Sequence, residues 1–475
     1  MNNYNQVTDE IIEQIKSSVS GKVYVGDEVS EDFYQDEMPI YGLSEPDVLV
    51  DVHTSEDVSS VLKICNANKI PVLARGAGTG LVGSGVAIKH GVMLNMQTMN
   101  KILEYDEENM VVRVQPGVLL NDLAQDCLSK GYLYPPDPGE KFATLGGNVS
   151  TNAGGMRAVK YGTTRDYVRS MEVVLPSGEI TKFGAVISKS STGYSLKDLM
   201  IGSEGTLGVI TELTLKIVPN PQATISLIVP FEDLHECIST VPKLLNSNLN
   251  PQAIEFMERN IVLASEKYIG KETFPKTVEG IDANAYLLIT FDGDDEDSLY
   301  EDIEKAAEIL TDNGAIDVLV ADTPNQIKDA WAARSSFLEA IESQHKLLDE
   351  CDVVVPITEI ADYIEFVNEA AEEYMFDVKS FGHAGDGNLH IYTLSNEEDK
   401  IDQFKDEVNE FMYVIYKKAY DLGGKLSGEH GVGSGKINYL RDFEGGVNTG
   451  LMRGIKKVFD PNMILNPDKV ITAEL

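Results

Sequence analysis

Residues 72–85 read VLARGAGTGLVGSG, and 78–83 within them match the dinucleotide fingerprint GxGxxG. That fingerprint binds a pyrophosphate when a strand precedes it and a helix follows it. An apolar run at 70–74 predicts the strand, but no helix fits before the next apolar run at 92–96. The loop therefore joins strand to strand, either as an anion cradle without a Rossmann crossover or as a plain glycine-rich hairpin. Glycine and other small residues contribute little to core packing, so their concentration in this loop favours the anion cradle.

A second glycine-rich stretch follows at 134–155, with PPDPGE at 135–140 and ATLGGNVSTNAGG at 143–155. Small residues and short side-chain amides let a backbone approach a bulky ligand closely and offer many hydrogen bonds. A wide turn region with Asx caps is the alternative interpretation. Two such loops in one region favour a large phosphate-bearing cofactor.

Charge and cysteine spacing exclude several classes of function. The 475-residue chain has 39 basic and 77 acidic residues, a formal charge of −38, which argues against nucleic acid or an anionic membrane as a partner. Its start lacks the pattern of a secretory signal, and no apolar run approaches the roughly 18 residues of a transmembrane segment, so we expect a cytoplasmic protein. The four cysteines are far apart, which excludes a local iron–sulfur or zinc-ribbon framework and predicts reduced, mostly buried thiols.

The pattern of short apolar runs changes along the chain. Residues 1–218 predict an α+β domain, Pro219-Asn220-Pro221 breaks the chain, 219–423 predict an α+β capping domain, and the glycine-rich segment 424–475 is expected to return to the active site. The clearest predicted helices are 55–68, 119–130, 234–247 and 298–313, and the clearest predicted strands of the cap are 224–229 and 285–291.

Three of the seven histidines lie in glycine-rich loops beside an acidic residue. Residues 385–388 are typical of a turn, and a hairpin there places His383 opposite His390, with Cβ atoms about 5 Å apart. Glu429 can complete a His₂Glu set for Zn²⁺, Fe²⁺ or Mn²⁺, which leaves His430 outside the metal site. The alternative for each histidine is an ordinary core or surface residue.

The two glycine-rich stretches, together with IGSEGTLGVIT at 201–211, resemble the FAD-binding domain of vanillyl-alcohol-oxidase type flavoproteins. FGHAGDGNLH at 381–390 and SGEHGVG at 427–433 resemble their FAD-linked 2-hydroxy-acid branch, which includes D-lactate dehydrogenases, glycolate oxidase large subunits and D-2-hydroxyglutarate dehydrogenases. LDECDVVVPI at 348–357 is most similar to the bacterial D-lactate and glycolate members. The resemblance covers nearly the whole chain.

The resemblance implies a role for individual residues. His383, His390 and Glu429 would bind the metal, His430 would be the base, and Arg334 would bind the substrate carboxylate. Thr79 stands where relatives with covalent flavin have a histidine, so FAD is expected to be held non-covalently. The residues expected to contact FAD are Arg75, Gly76, Ala77, Gly78, Thr79, Gly80, Pro136, Asp137, Thr144, Gly147, Asn148, Thr151, Glu204, Gly208 and Ile210.

With these roles, the resemblance implies the metal-assisted oxidation of a small D-2-hydroxy acid, with D-lactate favoured. Dicarboxylate-using relatives have a basic residue where Glu350 stands, which disfavours 2-hydroxyglutarate; glycolate stays open. Electrons are expected to leave through a partner protein such as an electron-transferring flavoprotein or an iron–sulfur subunit. Two other classes are a flavin-dependent alkyl transferase of the same fold, disfavoured by the acidic cap, and a non-catalytic flavin-carrying subunit, disfavoured by the histidines.

Overall fold

The computed structural model describes residues 4–38, 40 and 43–472, which form two compact units. The first unit comprises the chain up to Ala153, Thr163–Asn220 and the chain from Glu429 onward. The second comprises Gly154–Gly162 and Pro221–Gly428. The short segment Gly154–Gly162 thus leaves the first unit in sequence and packs within the second. The predicted domain boundaries stay predictions.

Helices and strands alternate along most of the chain. The strands are β1 Val23–Val25, β2 Val48–Asp51, β3 Val72–Arg75, β4 Val92–Asn95, β5 Ile102–Asp106, β6 Val111–Val114, β7 Tyr132–Leu133, β8 Val168–Val174, β9 Ile180–Gly184, β10 Val209–Lys216, β11 Val218–Pro219, β12 Ala223–Phe231, β13 Ala253–Glu258, β14 Thr277–Val278, β15 Ile281–Asp282, β16 Ala285–Gly293, β17 Leu319–Ala321, β18 Leu347–Val354, β19 Asp377–His383 and β20 Asn388–Ser395. The helices are α1 Asp9–Ser18, α2 Ser55–Asn68, α3 Leu120–Ser129, α4 Leu145–Thr151, α5 Ala158–Tyr161, α6 Thr164–Tyr167, α7 Leu196–Met200, α8 Leu234–Leu245, α9 Arg259–Ile269, α10 Glu296–Thr311, α11 Pro324–Ser335, α12 Phe337–Glu342, α13 Ile360–Ala371, α14 Ile401–Asp421, α15 Ile437–Phe443 and α16 Gly445–Phe459.

The first unit contains a four-stranded sheet in the order β1-β2-β4-β3, in which β4 pairs in parallel with both β2 and β3. Helix α2 has the predicted bounds because Thr54 accepts a hydrogen bond from the Asp57 amide in a capping box. Between β3 and β4 the structure has turns and bends but no helix, as the sequence predicts. The glycine-rich loop therefore connects two adjacent parallel strands without a Rossmann crossover.

The first unit also contains an antiparallel five-stranded sheet, in the order β5-β6-β10-β8-β9, and a two-stranded antiparallel pair of β7 and β11. Helix α3 begins and ends within one residue of its prediction. All four cysteines are buried thiols, and none of them forms a disulfide. Within the described residues, no helix combines the length and the apolar character needed to cross a membrane.

The second unit is built on a seven-stranded antiparallel sheet in the order β17-β12-β16-β13-β19-β20-β18. Its predicted strands and helices are present. Helix α10 starts two residues before its predicted position because Asp295 caps it by accepting a hydrogen bond from the Ser298 amide. Helices α9, α11 and α12 pack on one face of the sheet, where Phe337 and Ile341 join Met257 and Phe381 in one apolar core.

Candidate active site

The glycine-rich loop after β3 has the properties of an anion cradle. Gly78 and Gly83 have φ angles of +83° and +73°, which side-chain-bearing residues rarely adopt. No described residue accepts a hydrogen bond from the backbone amides of 77–80, and these residues are partly exposed. A Cβ at Gly76 would overlap the hydroxyl of Thr144, so the two glycine-rich stretches adjoin here. Close-packed backbone with unused N–H donors fits a phosphate-bearing cofactor.

Arg75, at the start of this loop, is buried rather than directed at solvent. Its guanidinium donates to the carbonyl oxygens of Gly85, Asp32 and Gln35 at 2.8, 2.9 and 2.7 Å. These bonds hold the shape of the loop, because each replaces water on a buried polar group. A contact of Arg75 with the pyrophosphate stays a prediction.

The second glycine-rich stretch forms the short helix α4. Thr144 caps this helix by accepting a hydrogen bond from the Gly147 amide at 3.3 Å, and Asn148 is buried one position further on. Of the other residues predicted to contact FAD, Asp137 accepts a hydrogen bond from Lys141 at 2.6 Å. All of the predicted FAD residues belong to the first unit.

Glu204 lies where the first glycine-rich stretch meets the segment that carries His430. Its buried carboxylate accepts hydrogen bonds from the Ser84 hydroxyl and from the backbone amides of Val432 and Gly433, the latter two at 2.7 and 2.8 Å. Burial raises the pKa of Glu204, and these hydrogen bonds work in the opposite direction. Glu204 therefore acts here as a connector between two loops, a role that the resemblance did not imply.

The histidine hairpin differs from its prediction in register. His383 pairs with Asn388, and His390 pairs with Phe381. The turn consists of residues 384–387, so it is not centred between the two histidines. The prediction that His383 and His390 are directly opposite is therefore wrong. They are diagonal neighbours on one face of the sheet, and their ring centroids are 5.5 Å apart.

Each of these histidines is held by a buried carboxylate. Nδ1 of His383 lies 2.8 Å from Glu255, and Nδ1 of His390 lies 2.9 Å from Glu350. Both glutamate side chains are fully buried. A carboxylate at Nδ1 orients a histidine to bind a metal through Nε2, so the pair fits a divalent ion. Sequence reasoning missed Glu255, although an acidic residue within the apolar run AIEFM at 253–257 is a signal that could have indicated it.

Arg334 is buried on the same face of the sheet, not on a helix surface. Its Nε donates to Glu255 Oε2 at 2.8 Å, and its guanidinium lies over the rings of Phe337 and Phe381, with its central carbon 5.2 and 4.9 Å from their centroids. Burial works to raise the pKa of Glu255, but the interactions with His383 and Arg334 outweigh it and hold that pKa below its ordinary value. Glu255 is therefore an ionised carboxylate that pairs with Arg334 and contacts Nδ1 of His383.

Asp352 is a further buried acid that the sequence did not single out. Its carboxylate accepts hydrogen bonds from the Asn388 amide at 2.7 Å, the Ser427 hydroxyl at 2.6 Å and the Gly428 backbone amide at 3.0 Å. Ser427 and Gly428 immediately precede Glu429 in the chain. Asp352, in β18, thus binds both Asn388 of β20 and the last two residues of the second unit, Ser427 and Gly428.

Glu429 and His430, the predicted ligand and base, belong to the first unit. Both side chains are largely buried, and His430 Nε2 lies 3.9 Å from Glu429 Oε1. A carboxylate beside an imidazole suits a proton-accepting histidine. The joint action of these residues with His383 and His390 stays a prediction.

Known proteins resemble this chain along nearly its whole length. The family "FAD binding domain" matches residues 46–184, and "FAD linked oxidases, C-terminal domain" matches 220–470. The D-lactate dehydrogenase of Anaerostipes hadrus is 59% identical over 98% of both chains. The glycolate oxidase subunit GlcD of Bacillus subtilis is 37% identical over 91% of this chain and 90% of its own. The D-lactate dehydrogenase of Archaeoglobus fulgidus is 39% identical over 89% and 91%.

Two solved structures share the fold at low identity. p-Cresol methylhydroxylase has a TM-score of 0.80 at 17% identity, covering 98% of this chain and 97% of its own. Alkyldihydroxyacetonephosphate synthase has a TM-score of 0.74 at 19% identity, covering 98% and 85%. This confirms the predicted vanillyl-alcohol-oxidase type fold and cofactor class: the chain belongs to the FAD-linked D-lactate dehydrogenase and glycolate oxidase large-subunit family, and FAD is its cofactor.

Proposed function

We propose that this protein oxidises D-lactate to the 2-oxo acid with FAD as the electron acceptor and a divalent metal at the substrate. The observation that carries the proposal is the 59% identity to a D-lactate dehydrogenase over 98% of both chains. The paired, carboxylate-held histidines His383 and His390 support the metal.

The metal would be held by His383, His390 and Glu429. Each histidine has its Nδ1 engaged by a buried glutamate, an arrangement typical of histidines that bind a metal through Nε2. Ser427 and Gly428, bound to Asp352, lead directly into Glu429. Zn²⁺, Fe²⁺ and Mn²⁺ all accept a His₂-carboxylate set, and when bound such an ion lowers the pKa of a substrate hydroxyl.

Four side chains of the chain itself would prepare the substrate. Arg334 would bind the substrate carboxylate through the part of its guanidinium that does not face Glu255. Phe337 and Phe381 restrict the guanidinium plane, which limits the orientations of the substrate. His430 removes the hydroxyl proton as a general base. When bound, FAD would supply the acceptor for the hydride that leaves the substrate Cα.

FAD would be held without a covalent bond, because Thr79 occupies the place of the flavin-linked histidine in other relatives. The backbone amides of 77–80 would receive the pyrophosphate. Electrons would then leave through a partner protein, such as an electron-transferring flavoprotein or an iron–sulfur subunit, because the four cysteines lie singly along the chain and cannot build a local cluster.

Glycolate is a second candidate substrate, since a glycolate oxidase subunit is 37% identical to this chain. 2-Hydroxyglutarate fits less well. The carboxylate of Glu350, where a second substrate carboxylate would need a cation, is already committed to His390.

The test is the anaerobic visible spectrum of the FAD-loaded protein before and after D-lactate, with L-lactate and glycolate as matched comparisons. We expect D-lactate alone to bleach the flavin band at millimolar concentration or below. Bleaching by glycolate with equal efficiency would reassign the substrate. A flavin band that no acid changes, in protein supplied with Zn²⁺ or Mn²⁺, would contradict the proposal.

A further inference from the structure

Glu255 contacts two groups that the proposed function uses separately. Its Oε1 lies 2.8 Å from Nδ1 of His383, and its Oε2 accepts a hydrogen bond from Arg334 Nε at 2.8 Å, with Arg334 Nη2 2.7 Å from the same oxygen. The Glu255 side chain has no exposed surface. Both partners are therefore held by one carboxylate that is shielded from solvent.

We propose that Glu255 is a positioning residue that fixes the metal ligand His383 and the carboxylate-binding Arg334 in one arrangement. Metal affinity and substrate affinity would then depend on the same side chain. This inference rests on the proposed function and adds to it the residue that couples its two binding groups.

The backbone makes this coupling possible. Glu255 in β13 is directly opposite His383 in β19, so the sheet ladder fixes the distance between their side chains. Arg334 comes from helix α11, and its guanidinium lies over the rings of Phe337 and Phe381 where it reaches the same carboxylate. Because Nε and Nη2 face Glu255, a substrate carboxylate would bind at the edge of the guanidinium that carries Nη1.

Glu350 provides a comparison within the same sheet. It holds His390 as Glu255 holds His383, at 2.9 Å and with the same burial. Within the described part of the chain, Arg334 pairs with Glu255 and not with Glu350. Loss of Glu350 should therefore weaken metal binding alone, whereas loss of Glu255 should weaken both metal and substrate binding.

The experiment compares FAD-loaded wild type, Glu255→Gln, Glu255→Asp and Glu350→Gln. Zn²⁺ affinity is measured by competition with a chromogenic chelator after metal removal. The D-lactate concentration for half-maximal anaerobic flavin reduction is measured at saturating Zn²⁺. The flavin spectrum and the thermal midpoint show that each variant is folded, and Glu255→Asp replaces Glu255→Gln if the latter is not.

We expect Glu255→Gln and Glu350→Gln each to lower Zn²⁺ affinity by about 10- to 100-fold. Glu255→Gln should also raise the half-saturating D-lactate concentration on the order of tenfold more than Glu350→Gln does. Equal half-saturating concentrations in the two variants would overturn the coupling, as would unchanged Zn²⁺ affinity in Glu255→Gln. Failure of the proposed function looks different: wild-type flavin would not respond to D-lactate, while the chelator competition would still report on Glu255.

Discussion

Two buried glutamates organise two different regions of this molecule. Glu204 in the first unit accepts hydrogen bonds from a hydroxyl and two backbone amides, and it joins loops that are rich in glycine. Glu255 in the second unit pairs with an imidazole and a guanidinium on the face of a sheet. The first region offers a ligand its backbone; the second offers charged side chains. Substitution of Glu204 should therefore affect cofactor retention, whereas substitution of Glu255 should affect metal and substrate binding.

The largest effect is expected for His430→Asn, which removes the proposed base and leaves the glycine-rich loops intact. Flavin reduction by D-lactate should slow by about 10²- to 10⁴-fold, because general-base catalysis contributes that much. The FAD content of the purified protein should not change. Stopped-flow absorbance measures the rate, and Lys89→Gln, an exposed change in the same unit, is the control. An unchanged rate would mean that His430 is not the base.

Glu204→Ala should come next, because it leaves the Val432 and Gly433 amides without their buried acceptor. A buried donor without a partner costs about 1–3 kcal/mol, so the thermal midpoint should fall and FAD should dissociate more easily. Glu204→Gln keeps one carbonyl oxygen as an acceptor and should lose less. If the two variants were equally stable, the hydrogen bonds of Glu204 would not be what connects the loops.

Gly76→Ala tests whether the cradle depends on close backbone approach. The new Cβ would overlap the Thr144 hydroxyl, so the loop must shift, and FAD affinity should fall on the order of tenfold, or about 1.4 kcal/mol. Gly139→Ala is the matched control, since a Cβ there meets nothing within 4 Å. FAD titration by fluorescence quenching measures both. Zn²⁺ affinity should be unaffected. Weaker Zn²⁺ binding in Gly76→Ala would contradict the separation of cofactor binding and metal binding between the two regions.

The smallest effect is expected for a histidine–glutamate pair on the surface, His235 and Glu365. Nε2 of His235 lies 2.9 Å from Glu365, and both side chains are about half exposed. The hydrogen bond to Glu365 raises the pKa of His235 above its ordinary value of 6.5. The resulting stability is therefore present below about pH 6.5 and is lost as the pH rises through the raised pKa.

Solvent screening limits this contribution to a few tenths of a kcal/mol. His235→Gln should reduce the thermal midpoint by less than about 2 °C at pH 5.5 and not at all at pH 9. A difference at pH 9 as large as at pH 5.5 would mean that packing, not charge, is involved. The His383–Glu255 pair is buried, so solvent should screen it much less than the His235–Glu365 pair.

Local chemistry explains which features were predictable. Helix α2 has its predicted bounds because Thr54 and Asp57 cap it locally, and the strand–loop–strand arrangement around Gly78 followed from the missing helical pattern. The hairpin was predicted, but its register was not, because the number of turn residues cannot be read from residues that all favour turns. Arg334 had no local sign of burial.

The sequence by itself indicated a large phosphate-bearing cofactor, which the family resemblance named as FAD, and it predicted the strand-to-strand glycine loop, because glycine and periodic apolar residues express their roles within a few positions. Only the tertiary structure decided which acids matter. Glu255 is 128 positions from His383 and 79 from Arg334, and Glu204 is 228 positions from Val432. An acid within an apolar run, as at Glu255, signals burial, but the partners of a buried glutamate depend on the pairing of distant strands and loops, which no local pattern encodes.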